Sequence, residues 1–102
     1  MTLQGKTAVV TGSTSGIGLA VARALAAQGA DIMLNGFGDA DEIRRIREDI
    51  SAAFGVQTGY HNADLSAATE ISAMMEYAQA EFGGVDVLVN NAGIQHVASV
   101  ED

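Results

Sequence analysis

Four short apolar runs alternate with three stretches of helical period, and this alternation constrains the chain more than any other feature. Thr7-Ala8-Val9-Val10-Thr11 leads into a glycine cluster and reads as a buried strand. From about Gly16 to Gln28, the residues Ile17, Ala20, Val21, Ala24 and Leu25 share one helical stripe, and Gly29 stops it. Asp31-Ile32-Met33-Leu34 is a second strand, and Asn35-Gly36-Phe37-Gly38 is a turn. Asp39 opens a second helix, with Glu42 placed for a reciprocal cap and a core stripe of Ile43, Ile46, Ile50 and Ala53. Gly55 ends it, and Val56 to His61 is a weaker strand. Ser66 is predicted to cap a third helix whose inner face is Ile71, Met74, Met75, Ala78 and Phe82, stopped by Gly83-Gly84. Val85-Asp86-Val87-Leu88-Val89 is the fourth strand, and residues 90–102 read as loop.

Strands joined by helices of this length run parallel, because the chain must return to the same edge before pairing again. Right-handed crossovers leave few topologies, and the expected strand order is 3-2-1-4. The chain of 102 residues reads as one domain, with βαβαβαβ over 1–89 and a loop over 90–102 that leads toward a further half. Helices one and two are expected on one face and helix three on the other. Strand four is left with an unpaired apolar edge of Val85, Val87, Leu88 and Val89, an association hazard. The isolated chain is therefore expected to be marginal, or to hide this edge by self-association or by pairing with a longer relative.

Thr11-Gly12-Ser13-Thr14-Ser15-Gly16-Ile17-Gly18 lies between the first strand and the first helix. Gly12 can make the tight turn, Gly16 can let backbone approach a ligand, and Gly18 can let helix and sheet pack closely. A helix N-terminus here presents amides and a positive dipole end to an anion, and a pyrophosphate is the expected guest. The spacing is Gly-x3-Gly-x-Gly, and the same residues also suit a turn built only for tight packing. Placement after a strand and before a helix favours the binding reading. The fold class is then α/β, a Rossmann-type doubly wound parallel sheet truncated to about four strands.

The second strand ends without the carboxylate that often holds ribose hydroxyls, since no acid appears before Asp39. Neither this turn nor Ser13-Thr14-Ser15 carries a base for a 2′-phosphate, so NAD is the expected cofactor. Phe37 either lies against the adenine or its ribose, or caps the sheet edge. Asp64 either accepts from the adenine amino group, with the Leu65 amide donating to a ring nitrogen, or forms an Asx turn. His61 and His96 read as packing or surface residues.

Composition removes other classes. Thirteen acidic residues against five basic ones, a net charge of −8, oppose a nucleic-acid partner, which needs clustered Lys and Arg. The chain has no Cys, so disulfides and thiolate metal sites are excluded, and a cytoplasmic location is expected. No apolar stretch suits a signal peptide or a membrane span.

Thr11 to Gly18, Asp64-Leu65 and Asn90-Asn91-Ala92-Gly93, in this order and each at the right element, resemble the short-chain dehydrogenase/reductase family. The resemblance covers the whole chain but only the N-terminal part of the family's fold. Asn35-Gly36-Phe37-Gly38, Asn91-Ala92-Gly93-Ile94-Gln95-His96-Val97 and Val100-Glu101-Asp102 are similar to the bacterial branch that oxidises 3-hydroxybutyrate. The resemblance implies that Gly12, Thr14, Gly16, Ile17 and Gly18 surround the pyrophosphate and its riboses. Phe37 would sit at the adenosine ribose, and Asp64 and Leu65 would hold adenine. Asn90, Ala92 and Gly93 would line the cofactor, with Asn91 tying neighbouring strands. Gln95 would bind the carboxylate of a short hydroxy-acid substrate.

The family's proton chemistry uses a Ser and a Tyr-x-x-x-Lys pair. Here Tyr60 and Tyr77 are followed four residues on by Asp64 and Glu81, and the one lysine is Lys6. Ser99 follows strand four too soon to be the catalytic serine. No catalytic and no metal residue is therefore assigned within these 102 positions, and the chain alone is expected to be inactive. It reads as the front part of an NAD-dependent oxidoreductase. The other reading is a non-catalytic nucleotide-binding or interaction module.

Overall fold

The computed structural model describes residues 2–64 and 66–91. The elements run β1 (Thr7–Val10), α1 (Gly16–Ala27), β2 (Asp31–Asn35), α2 (Ala40–Phe54), β3 (Thr58–His61), α3 (Ala68–Phe82) and β4 (Val87–Val89). All strand pairs are parallel, and the sheet order is β3-β2-β1-β4, as expected. The register sets Thr7 opposite Asp31, Ile32 opposite Thr58 and Ala8 opposite Val87.

β1 is buried along its whole length, and β2 from Ile32 to Asn35. Helices on both faces require continuous apolar runs in the central strands. Alternate residues still divide between the faces. Ala8, Val10, Ile32 and Leu34 pack with Ala22, Ala26 and Ile50 from α1 and α2. Val9 and Met33 pack on the other side with Ala63, Met74 and Ala78. α1 and α2 thus cover one face, and α3 covers the other. Among the described residues β4 pairs only with β1, and Leu88 is 55% exposed on it.

Three local expectations are corrected. In α1 the buried residues are Gly18, Ala22 and Ala26, while Ala20 and Ala24 are exposed and Ile17 is 71% exposed. The smallest side chains face the sheet because the helix start lies against backbone: a Cβ at Gly18 would stand 2.0 Å from the Gly12 carbonyl oxygen. Leu19, Val21 and Leu25 flank that contact, half-buried. Ser66 does not cap α3, whose N-cap is Ala67 with no side-chain bond. The Ser66 hydroxyl donates instead to Asp64 Oδ1 at 2.7 Å, a charge-assisted bond, and the residue stands one position before the N-cap. Ala53 and Ile71 lie on the exposed sides of their helices. Asp39 does cap α2, accepting from the amides of Asp41 and Glu42 at 3.1 and 3.2 Å.

Candidate functional site

In a parallel α/β sheet the ligand crevice forms outside the carboxyl ends of the strands. Here the segments that follow β1, β2, β3 and β4 meet at that end through buried polar side chains.

Asn35, the last residue of β2, is the centre of this network and only 1% exposed. Its Oδ1 accepts from the Gly12 amide at 3.3 Å. Its Nδ2 donates to the carbonyls of His61 and Ala63 at 3.0 and 3.2 Å. Its backbone N–H donates to Ser13 Oγ at 3.0 Å, and its carbonyl accepts from the Ser13 amide at 2.6 Å. One residue therefore ties the glycine turn to the ends of β2 and β3. Sequence reasoning assigned no such role to Asn35 or Ser13. The available signal was a polar residue closing the run Ile32-Met33-Leu34, because buried polar groups must find partners.

β4 joins from the other side. Asn91 Nδ2 donates to the Gly12 carbonyl at 3.0 Å, so Asn91 ties neighbouring strand ends as the resemblance implied. Thr11 Oγ1 lies 3.3 Å from both the Val89 carbonyl and Asn90 Oδ1.

The glycine turn uses positive φ at Gly12 (58°) and Gly16 (60°), a region that side chains disfavour. A Cβ at Gly16 would meet no heavy atom within 4 Å, so the space beside it is open. α1 begins there with Ser15 as N-cap, no side-chain capping bond and no acidic residue in the first turn. The first amides of a helix lack intrahelical partners, and this end carries partial positive charge. Such a mouth can receive an anion.

Thr14 faces the neighbouring turn: its hydroxyl donates to the Phe37 carbonyl at 2.9 Å. A Cβ at Gly36 would stand 2.6 Å from Thr14 Oγ1, so the glycine permits that approach. Tyr60 supports the same turn by donating its hydroxyl to the Gly36 carbonyl, and burial raises that hydroxyl's pKa above its ordinary value. Phe37 is 76% exposed, which removes the reading of it as a cap packed on the sheet edge. Phe37 and Ile17 are apolar side chains held in solvent on segments that flank the open space.

Asp64 lies exposed beyond β3, and its Oδ1 accepts from both the amide and the hydroxyl of Ser66. The backbone bond and then the hydroxyl bond hold its carboxyl below the usual range, so it is ionised at neutral pH. The Asx-turn reading is thus realised, and the carboxylate it fixes remains in solvent. Leu65, Ala92, Gly93 and Gln95 lie outside the described residues. Among the described residues no group of three or more metal-ligating side chains forms, and no helix is long and apolar enough to cross a membrane.

The residues present fit a dinucleotide: an open glycine-lined helix mouth, an exposed aromatic beside it and an ionised carboxylate beyond β3. The chain is 65% identical over 100 residues to D-beta-hydroxybutyrate dehydrogenase of Cupriavidus necator, covering 98% of this chain and 38% of that protein. It is 53% identical over 97 residues to the D-beta-hydroxybutyrate dehydrogenase of Rhizobium meliloti, covering 95% and 38%. The crystal structure of L-sorbose reductase from Gluconobacter frateurii, complexed with NADPH and L-sorbose, superposes with a TM-score of 0.80 at 39% identity. That match covers 91% of this chain and 36% of the reductase. The chain thus spans about two fifths of the length of these relatives. The short chain dehydrogenase pattern runs through residues 6–102, and with the parallel sheet and its glycine turn in place the chain belongs to that family.

Proposed function

We propose that this chain is the cofactor-binding portion of an NAD-dependent dehydrogenase that converts 3-hydroxybutyrate and NAD to acetoacetate and NADH. The observation that carries the reading is the mouth of α1, uncapped, free of acid in its first turn and opening on clear space at Gly16. Gly12, Gly16, Ile17 and Gly18 would surround the pyrophosphate, with Thr14 holding the Phe37 turn against them. Phe37 would lie at the adenosine ribose and Asp64 would accept from the adenine amino group, with Leu65 beside it. Asn90, Ala92 and Gly93 would line the cofactor at the end of β4, and Gln95 would receive the substrate carboxylate.

NAD rather than NADP is supported by charge. Residues 11–18 and 35–39 contain no Lys or Arg to meet a 2′-phosphate. Arg44 pairs with Asp41 at 3.1 Å, and Arg47 donates to the Thr58 carbonyl at 3.0 Å. The substrate is supported by the two hydroxybutyrate dehydrogenases at 65% and 53% identity.

The nicotinamide, when bound, supplies the hydride acceptor. These 102 residues supply binding and orientation: no Tyr among them is followed four residues on by Lys, so the proton-transfer pair of the family is not among them. Isothermal titration calorimetry with NAD and NADP, paired with an assay for hydroxybutyrate-dependent NADH formation, tests the reading. NAD binding, a clear preference over NADP and no turnover by the chain alone are expected. Turnover by these residues, or equal affinity for both cofactors, contradicts it. The same reading places the protein in the cytoplasm and gives it a second copy or a longer relative as partner at the outer edge of β4. Sedimentation at several concentrations, with and without a Leu88→Lys substitution, checks that pairing.

A further inference from the structure

We infer that His61 is a positioning residue that shapes the adenine end of the site through the Ala63–Asp64 turn. The inference rests on the dinucleotide reading above. His61 closes β3, and its Nδ1 accepts from the Ala63 amide at 3.1 Å. An amide can donate only to a ring nitrogen that carries no proton, so the neutral ring holds its proton on Nε2. The ring also stands 5.5 Å from that of Tyr77 on α3, tilted by 51°. Two elements therefore hold it.

Ala63 is 2% exposed, so its amide has little water to turn to if the ring is lost. Its carbonyl and that of His61 both accept from Asn35 Nδ2. Residues 61–63 are thus gripped from two sides, by the imidazole within the turn and by Asn35 from β2. Asp64 comes next, its amide donating to Glu70 Oε1 at 2.7 Å and its carboxylate set by Ser66. Without the imidazole acceptor the Ala63 amide loses its partner, and the turn that carries Asp64 keeps only one of its two grips, so the carboxylate is set less closely for reading an amino group. The contact is an i to i+2 acceptor, the arrangement that Asn supplies in an Asx turn. Asn carries an acceptor at the same number of bonds from Cα as histidine Nδ1, so it can restore the bond without the ring. Phe keeps the ring contact with Tyr77 and removes the acceptor.

Calorimetric titration of the whole chain, His61→Phe and His61→Asn with NAD and with nicotinamide hypoxanthine dinucleotide, which lacks the adenine amino group, separates the possibilities. The unsubstituted chain is expected to prefer NAD. His61→Phe should weaken NAD about tenfold, the worth of a well-placed bond from the adenine amino group to the Asp64 carboxylate, and leave the analogue within about twofold. His61→Asn should restore NAD to within about twofold of the starting affinity. Equal weakening of both ligands, or an unchanged preference in His61→Phe, overturns the inference. An unsubstituted chain that binds both ligands equally overturns it while leaving dinucleotide binding intact. A chain that binds neither ends both readings. Nitrogen-15 NMR of the unsubstituted imidazole decides the matter even if His61→Phe does not fold: the Nε2–H tautomer is expected, and the Nδ1–H tautomer overturns the inference.

Discussion

The carbonyl oxygen of Gly12 lies 2.0 Å from where a Cβ on Gly18 would stand, so the start of α1 and the end of β1 are in backbone contact. The same oxygen accepts from Asn91 Nδ2. The helix start six residues on and the distant end of β4 thus converge on one carbonyl, and glycine at position 18 is what lets the helix do so.

Gly18→Ala is therefore expected to cost about 3 kcal/mol, the upper end for overpacking, because the obstacle is backbone and cannot rotate away. Gly16→Ala meets open space and is penalised only by its φ of 60°. It should cost about 1 kcal/mol. Urea unfolding of the two variants checks the difference. Equal midpoints would show that close packing at Gly18 is not what stabilises the turn.

Asn35→Asp keeps the acceptor for the Gly12 amide and turns the two donors toward the His61 and Ala63 carbonyls into an acceptor. A buried carboxylate facing carbonyls should lower stability by about 3 kcal/mol at neutral pH. The loss should shrink at pH 4, where a protonated acid can donate to one of them. Urea midpoints at the two pH values read this out, and a loss independent of pH would contradict it.

Tyr60 donates to the Gly36 carbonyl, and burial raises its hydroxyl's pKa. The folded chain therefore keeps a proton that the unfolded chain releases near pH 10. This contribution to stability is complete below about pH 10 and is lost as pH rises through the folded-state value. Tyr60→Phe should abolish that alkaline loss. Denaturant midpoints between pH 8 and pH 11 for both proteins check it, and parallel curves would argue against the assignment.

Phe37→Arg places a guanidinium where the proposed adenosine ribose would lie. Phe37 is 76% exposed, so stability should change by no more than about 0.5 kcal/mol. Affinity for NADP should rise about tenfold, the worth of a charge-assisted bond to the 2′-phosphate, with little change for NAD. Calorimetric titration with both cofactors measures it, and unchanged NADP affinity would place the ribose elsewhere.

The alternation of apolar runs and helical stripes determined the βαβαβαβ order by itself, because strand and helix periods are local properties of the chain. It also determined the parallel 3-2-1-4 sheet, since the helical connections leave few ways back to it. The glycine turn was legible for the same reason: tight turns and a helix start are decided within a few residues. Asp39 as the cap of α2 was local too.

Tertiary structure decided what depends on contacts across the sheet. Which stripe of α1 is buried follows from the approach of Gly18 to Gly12, and weighting by hydrophobicity points instead to Ile17 and Ala20. Ser66 serves the Asp64 turn, because α3 starts one residue too late for it to stand at the N-cap. Asn35 and His61 looked like a turn residue and a packing residue, yet together they join the ends of β1, β2 and β3. The partners of Asn35 lie 22 to 28 residues from it in sequence and come within reach only once parallel pairing has brought the strand ends side by side.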